Sequence, residues 1–112
     1  MSDAPAEARL RALRAEAEAE LRAAGEHIDA MTAARADANS DDEHDPEGAT
    51  IGFEWSQADA LRSALRQRLA EVAAALARVA DGGYGVCAVC GDPIPAARLE
   101  ARPTTDRCIR HA

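Results

Sequence analysis

The sequence predicts a mainly α fold, an antiparallel helical coiled-coil hairpin with a small cysteine-bearing C-terminal module. Three observations predict it. Two stretches of about thirty residues each carry one narrow apolar seam at helical spacing, joined by a short acidic connection. The chain is rich in helix formers and poor in aromatics: 29 of its 112 residues are Ala, and only 3% are Phe, Trp or Tyr. All three cysteines fall in the last quarter, in a paired pattern. The same composition excludes a compact enzyme domain with one broad core. Small domains already bury little surface, and aromatic side chains supply much of what they do bury. Ala with Glu, Arg and Leu suits long helices instead.

The first helix is expected over about residues 4–38. Asp3 is a capping residue, and Pro5 falls in the first turn, where the missing N–H costs nothing. The seam is Leu10, Leu13, Ala17, Leu21, Ala24, Ile28 and Met31, with steps of 3, 4, 4, 3, 4 and 3. So narrow a seam, with alanine at Ala17 and Ala24, needs a partner helix. The second helix is expected over about 50–81, starting near Thr50 with Gly52 tolerated in its first turn; Ser56 and Asp59 form an alternative capping box. Its seam is Ala58, Leu61, Leu65, Leu69, Val72, Leu76 and Val79, with the same step pattern. Gly82-Gly83 ends it. Matching seams around a short connection read as an antiparallel hairpin covering residues 1–81, an arm on the order of 45 Å at 1.5 Å per residue. Both seams read as coiled-coil packing with no cofactor between the helices.

The connection at 39–49 contains Asn39, Ser40, Pro46 and Gly48, all turn formers. It also concentrates charge. The formal net charge is −7, yet Asp41, Asp42, Glu43, Asp45 and Glu47 supply five carboxylates with no base among residues 39–50. A charge run is ordinarily a solvated loop. At the tip of an arm it also suits approach to Mg²⁺ or to a basic partner surface. His44 reads as a bystander there. A net acidic chain argues against nucleic acid as the main ligand, because neutralising phosphates takes a basic excess. All 13 basic residues are Arg.

Residues 82–112 form the third element. Cys87-x2-Cys90 and Cys108-x2-His111 have 17 residues between them, the spacing of two knuckles closing on one tetrahedral Zn²⁺. Thiolates and imidazole are soft enough to prefer zinc over hard cations. Four protein ligands leave no open position, so the expected role is structural, with one zinc and no catalysis. Three thiolates and a neutral imidazole leave an excess negative charge on the centre, which arginines such as Arg107 and Arg110 are placed to offset. Few large apolar residues occupy this segment, so zinc is expected to be needed to fold it. Three cysteines suit a reducing compartment. Met1-Ser2-Asp3-Ala4-Pro5 lacks the basic and apolar regions of a secretory leader, and no apolar run approaches membrane length. A cytoplasmic protein without membrane contact is expected.

The run Gly83-Tyr84-Gly85-Val86-Cys87-Ala88-Val89-Cys90-Gly91, followed by Ile94, by Arg98-Leu99-Glu100-Ala101-Arg102-Pro103 and by Cys108, resembles the signature of the DksA/TraR zinc-finger family. The preceding hairpin is similar to the family's coiled coil in placement and length. Asp45-Pro46, followed by Ala49-Thr50, resembles its tip motif. The resemblance implies a transcription regulator that binds bacterial RNA polymerase and makes no direct sequence-specific contact with DNA. It implies a coiled coil inserted into the secondary channel, with tip residues Asp41, Asp42, Glu43, Asp45 and Glu47 facing the active site. This chain departs from the pattern in several places: His111 stands where the family has a fourth Cys, the tip is one residue shorter between Asp45 and Ala49 with Gly48 where a second Asp is usual, and no C-terminal helix is expected after the finger. The family's archetype also binds the alarmone ppGpp through basic residues. Arg102 matches one of these positions and remains an interface candidate, but Glu71 and Ala112 occupy two others. Charge-assisted contacts dominate polyphosphate binding, so ppGpp dependence is expected to be weak or absent. Two other classes fit the same residues: a zinc-containing helical interaction module that does not act on polymerase, and a thiol redox sensor whose oxidation ejects zinc. An enzyme is not expected, because no nucleophile–base constellation or phosphate loop is present.

Overall fold

A computed structural model describes residues 3–38 and 46–112, leaving the side chains of residue 38 and of 46–51 outside the description. The fold is the expected one, mainly α. Helix α1 spans Ala4–Ala38, α2 spans Pro46–Asp81, and a short α3 spans Ala96–Ala101. A single 3-10 turn, Ile109–His111, follows. Among the described residues the β-structure is one isolated antiparallel bridge, Val86 to Pro93.

Helix α1 begins as its sequence dictates. The Glu7 N–H donates to the Asp3 carbonyl at 2.8 Å, which puts Asp3 at the capping position. Glu7 also pairs with Arg11 at 2.7 Å, one turn on. Helix α2 starts at Pro46, four residues ahead of the expected start near Thr50. A proline's fixed φ is pre-organised for a first helical turn, and its missing N–H would have no partner there. Residues 46–49, expected in the tip, therefore have helical backbone.

The other end of α2 is set by glycine. Gly82 takes a φ of +83°, a left-handed conformation that a Cβ disfavours. The Gly83 N–H then reaches the Arg78 carbonyl at 2.9 Å, and the Gly82 N–H reaches that of Val79 at 3.3 Å. These two bonds satisfy carbonyls that the helix end would otherwise leave unpaired.

The chain divides into two compact units, Met1–Glu16 with Arg68–Ala112, and Ala17–Gln67. In the first, the start of α1 lies against the end of α2. Leu10, Val72, Ala75 and Tyr84 form the buried cluster there, with Ala6, Leu13, Leu76, Val79 and Leu99 packed around it. In the second, Ile28 and Met31 of α1 close on Ala58 of α2. The pairing is antiparallel in both.

All seven expected seam residues of α1 are buried or half-buried. The α2 seam differs at one place. Leu61 is 51% exposed. The neighbouring Arg62 turns inward instead, its side chain 29% exposed and paired with Asp59 at 2.6 Å. Its Nε is buried and has no hydrogen-bond partner among the described residues. A turn of about 3.6 residues allows a step of three or of four, and here the step from Ala58 falls on residue 62. Ala75, absent from the expected seam, is fully buried for the same reason.

Candidate metal centre

The C-terminal module is built on two backbone knuckles. In the first, the Gly91 N–H donates to the Cys87 carbonyl at 2.9 Å, and the Cys87 N–H donates to the Asp92 carbonyl at 2.8 Å. Gly91 makes the tight return possible with a φ of +77°. In the second, the His111 N–H donates to the Cys108 carbonyl at 3.0 Å through the 3-10 turn. The Ala88 N–H, bonded to the Asp106 carbonyl at 2.8 Å, ties one knuckle to the chain leading into the other.

These knuckles bring together the four residues singled out in the sequence. The sulfurs of Cys87, Cys90 and Cys108 and a ring nitrogen of His111 all lie within 4.8 Å of one another. Cys87 Sγ to His111 Nδ1 is 3.7 Å, Cys90 Sγ to Cys108 Sγ is 3.7 Å, and Cys108 Sγ to His111 Nδ1 is 3.2 Å. A tetrahedral zinc with Zn–S near 2.3 Å and Zn–N near 2.0–2.1 Å requires donor–donor edges of about 3.5–3.8 Å. Two edges match and the third is slightly short. The donor set and its spacing fit one structural Zn²⁺.

The electrostatics favour the thiolate at two of the three cysteines, Cys87 and Cys108. Backbone N–H groups of Cys108, then Cys90, aim at the Cys87 sulfur and lower its pKa to about 5. Burial acts to raise Cys108, but His111 and the Arg110 N–H outweigh it, and its pKa falls. At Cys90 the Asp92 N–H acts to lower the value; desolvation and the two neighbouring cysteines overcome it, and the thiol is raised. Cys108 and Cys87 hold the His111 pKa above its ordinary value. Zinc reverses that at His111, since a ligating nitrogen must lose its proton.

The module is anchored by groups that the sequence reading missed. Tyr84 is buried and its hydroxyl donates to the Pro103 carbonyl at 2.8 Å. Arg78, from the last turn of α2, donates to the Thr104 carbonyl at 3.0 Å. Arg98 of α3 donates to the Arg107 carbonyl at 2.8 Å. Leu99 packs against both the Leu10 cluster and the cluster of Cys87, Ile94 and Cys108. The long polar side chains among these carried no local motif; only three-dimensional placement reveals what they bond.

The other expected site residues are placed as follows. Arg102 is exposed just after α3 and lines an open groove of about 640 Å³ with Arg68, Glu71, Arg78 and Asp106. His27 is exposed on α1. Asp41, Asp42, Glu43, His44 and Asp45 lie outside the described residues, as does the side chain of Glu47.

The geometry defines a class: a two-helix hairpin protein with a structural zinc finger closing one end. Residues 82–110 match the family described as "Prokaryotic dksA/traR C4-type zinc finger", so this C-terminal segment is a finger of that type. Two curated relatives, both named "RNA polymerase-binding transcription factor DksA" and from two strains of Caulobacter vibrioides, are 47% identical over 58 residues. That stretch is 50% of this chain and 41% of each relative, so the match spans less than half of their length. A solved structure, "Structure of transcription factor DksA2 from Pseudomonas aeruginosa", superposes with a TM-score of 0.57 at 24% identity. It covers 92% of this chain and 79% of its own, a likeness of fold. The family's description is four-cysteine; here His111, one residue beyond the matched range, supplies the fourth donor.

Proposed function

We propose that this protein is a transcription regulator that binds bacterial RNA polymerase. The observation that carries the reading is the 47% identical stretch shared with polymerase-binding DksA proteins. The zinc-donor cluster on a helical hairpin supports it. Cys87, Cys90, Cys108 and His111 hold one zinc, which fixes the finger against the ends of α1 and α2 and takes no part in bond making. The hairpin tip enters the polymerase secondary channel. There Asp41, Asp42, Glu43, Asp45 and Glu47 act on the metal-centred active site through charge and bulk, and so modulate initiation. Carboxylates suit this role because Mg²⁺ takes oxygen ligands. The protein is not an enzyme, works in the cytoplasm and contacts no DNA sequence directly.

The groove beside Arg102 bears on ppGpp. Arg68, Arg78 and Arg102 line it, but Glu71 and Asp106 share the same walls, and Arg78 is committed to the Thr104 carbonyl. We expect weak or absent ppGpp dependence on that ground. Co-purification with RNA polymerase tests the main reading. The unsubstituted chain should be retained, and Asp45→Ala should keep binding while losing its effect on transcription in vitro. Failure to bind polymerase, or an unchanged transcriptional effect after all five tip carboxylates are neutralised, would overturn it. Tight, protein-dependent ppGpp binding to the complex would overturn the alarmone reading alone.

A further inference from the structure

We infer that the ion pair between Asp92 and Arg110 is a strap across the two zinc knuckles that slows loss of the metal. Arg110 Nη2 lies 2.6 Å from Asp92 Oδ2. Each partner stands two residues after a cysteine of the centre: Cys90-Gly91-Asp92 on one knuckle and Cys108-Ile109-Arg110 on the other. The bond therefore joins equivalent points of two loops that are 18 residues apart in sequence.

Both ends are fixed by the backbone before the side chains meet. The Asp92 carbonyl accepts the Cys87 N–H, and the Asp92 N–H faces the Cys90 sulfur. Arg110 lies within the 3-10 turn that positions His111, and its N–H faces the Cys108 sulfur. The Arg110 guanidinium also interacts with that sulfur, and Asp92 first, then Cys108, stabilises its charge. A zinc bound by three thiolates and one imidazole carries a net negative charge, so a cation held beside it is favourable. Arg98 and Arg107 of the finger are engaged elsewhere. Arg98 bonds the Arg107 carbonyl, and Arg107 lies 3.8 Å from its neighbour Asp106. An isolated exposed pair contributes little. This one differs because opening either knuckle must break it, so it acts on the step by which zinc leaves.

The test uses the zinc-loaded full chain and follows transfer of zinc to an excess of a chromophoric chelator. Arg110→Ala should release zinc about fivefold faster, less than the 10–100-fold typical of buried outer-shell partners. Asp92→Asn should do the same to a smaller degree, and Arg110→Lys should recover part of the loss. The double variant should release zinc no faster than Arg110→Ala alone, because the two residues act as a unit. The absorption bands of the Co²⁺-substituted chain should stay in place in all variants, separating a strap from a change in ligands. Single-variant rates within twofold of the unsubstituted chain would overturn the inference. So would effects that multiply in the double variant, or shifted Co²⁺ bands.

Discussion

Leu10 and Leu61 are both seam residues by spacing, but the structure treats them oppositely. Leu10 has no solvent exposure and sits in the cluster of Val72, Ala75 and Tyr84. Leu61 is 51% exposed. Leu10→Ala removes three carbon atoms from a closed site. At about 0.8 kcal/mol per methylene the transfer loss is about 2.4 kcal/mol, and the unfilled cavity adds to it. Neighbouring Ala75 is small and a two-helix layer collapses readily, so the total should stay near 3 kcal/mol, toward the lower part of the range for such changes. Leu61→Ala should cost about 1 kcal/mol or less, because half of that side chain is already in water. The assay is urea unfolding of the zinc-loaded chain followed by circular dichroism at 222 nm, compared at equal slope. The heptad pattern alone predicts equal losses. If Leu61→Ala costs as much as Leu10→Ala, the drift of the seam to Arg62 is wrong and the packing argument fails with it.

Three further outcomes follow from the same structure. Tyr84 is the only tyrosine and the chain has no lysine, so its ionisation is directly visible at 295 nm. Burial raises its pKa above 10.0, with partial opposition from Arg9 and Arg78. The neutral form is the one that the fold favours, so its contribution is complete below pH 10 and disappears as pH rises through the folded-state value. A tyrosinate midpoint at or below 10 would contradict this, and Tyr84→Phe should cost about 1 kcal/mol through the lost bond to Pro103. Gly25 lies inside α1 with nothing within 4 Å of an added Cβ. Gly25→Ala should therefore stabilise by about 1 kcal/mol in the same urea assay, and a loss would mean an unseen neighbour. Removing zinc with a chelator should strip amide-exchange protection from residues 82–112 and also from the adjoining ends of α1 and α2, because Tyr84 and Leu99 pack into the Leu10 cluster. Protection lost from the finger alone would show that the helix ends hold without it.

What was legible in the sequence was whatever depends on local spacing. The α1 seam, the Gly82 stop and the paired knuckles are written at fixed intervals, and a helix or a zinc loop converts intervals directly into geometry. The start of α2 was less legible because two signals compete there. Thr50 is a good cap, yet Pro46 is a good first helical residue, and a helix begun at Pro46 satisfies more backbone groups. Leu61 was misplaced because a turn of about 3.6 residues lets the seam step by three or by four from Ala58, and spacing alone does not decide between residues 61 and 62. The groove beside Arg102, the Arg78 and Tyr84 anchors and the Asp92–Arg110 pair were out of reach for another reason. Each joins residues 18 or more apart through long or polar side chains, and no short pattern encodes such a meeting.

The first unit explains how so thin a hairpin closes at its base. A seam this narrow buries little per turn, and the ends of α1 and α2 would gain little from each other alone. Tyr84 changes that. It follows the left-handed stop at Gly82, so the chain reverses and lays the ring over Leu10, Val72 and Ala75. The ring can stay there only if the Pro103 carbonyl is in place to accept its hydroxyl, since an unpaired buried hydroxyl is costly. Pro103 lies between α3 and the second zinc knuckle. Leu99 of α3 makes the same link through packing, touching both the helix-end cluster and the cysteine cluster. The zinc knuckles thus fix the segment that satisfies Tyr84, and Tyr84 completes the core that the helices lack. Metal binding and hairpin closure are one cooperative event in this unit, which is why so few large apolar residues suffice.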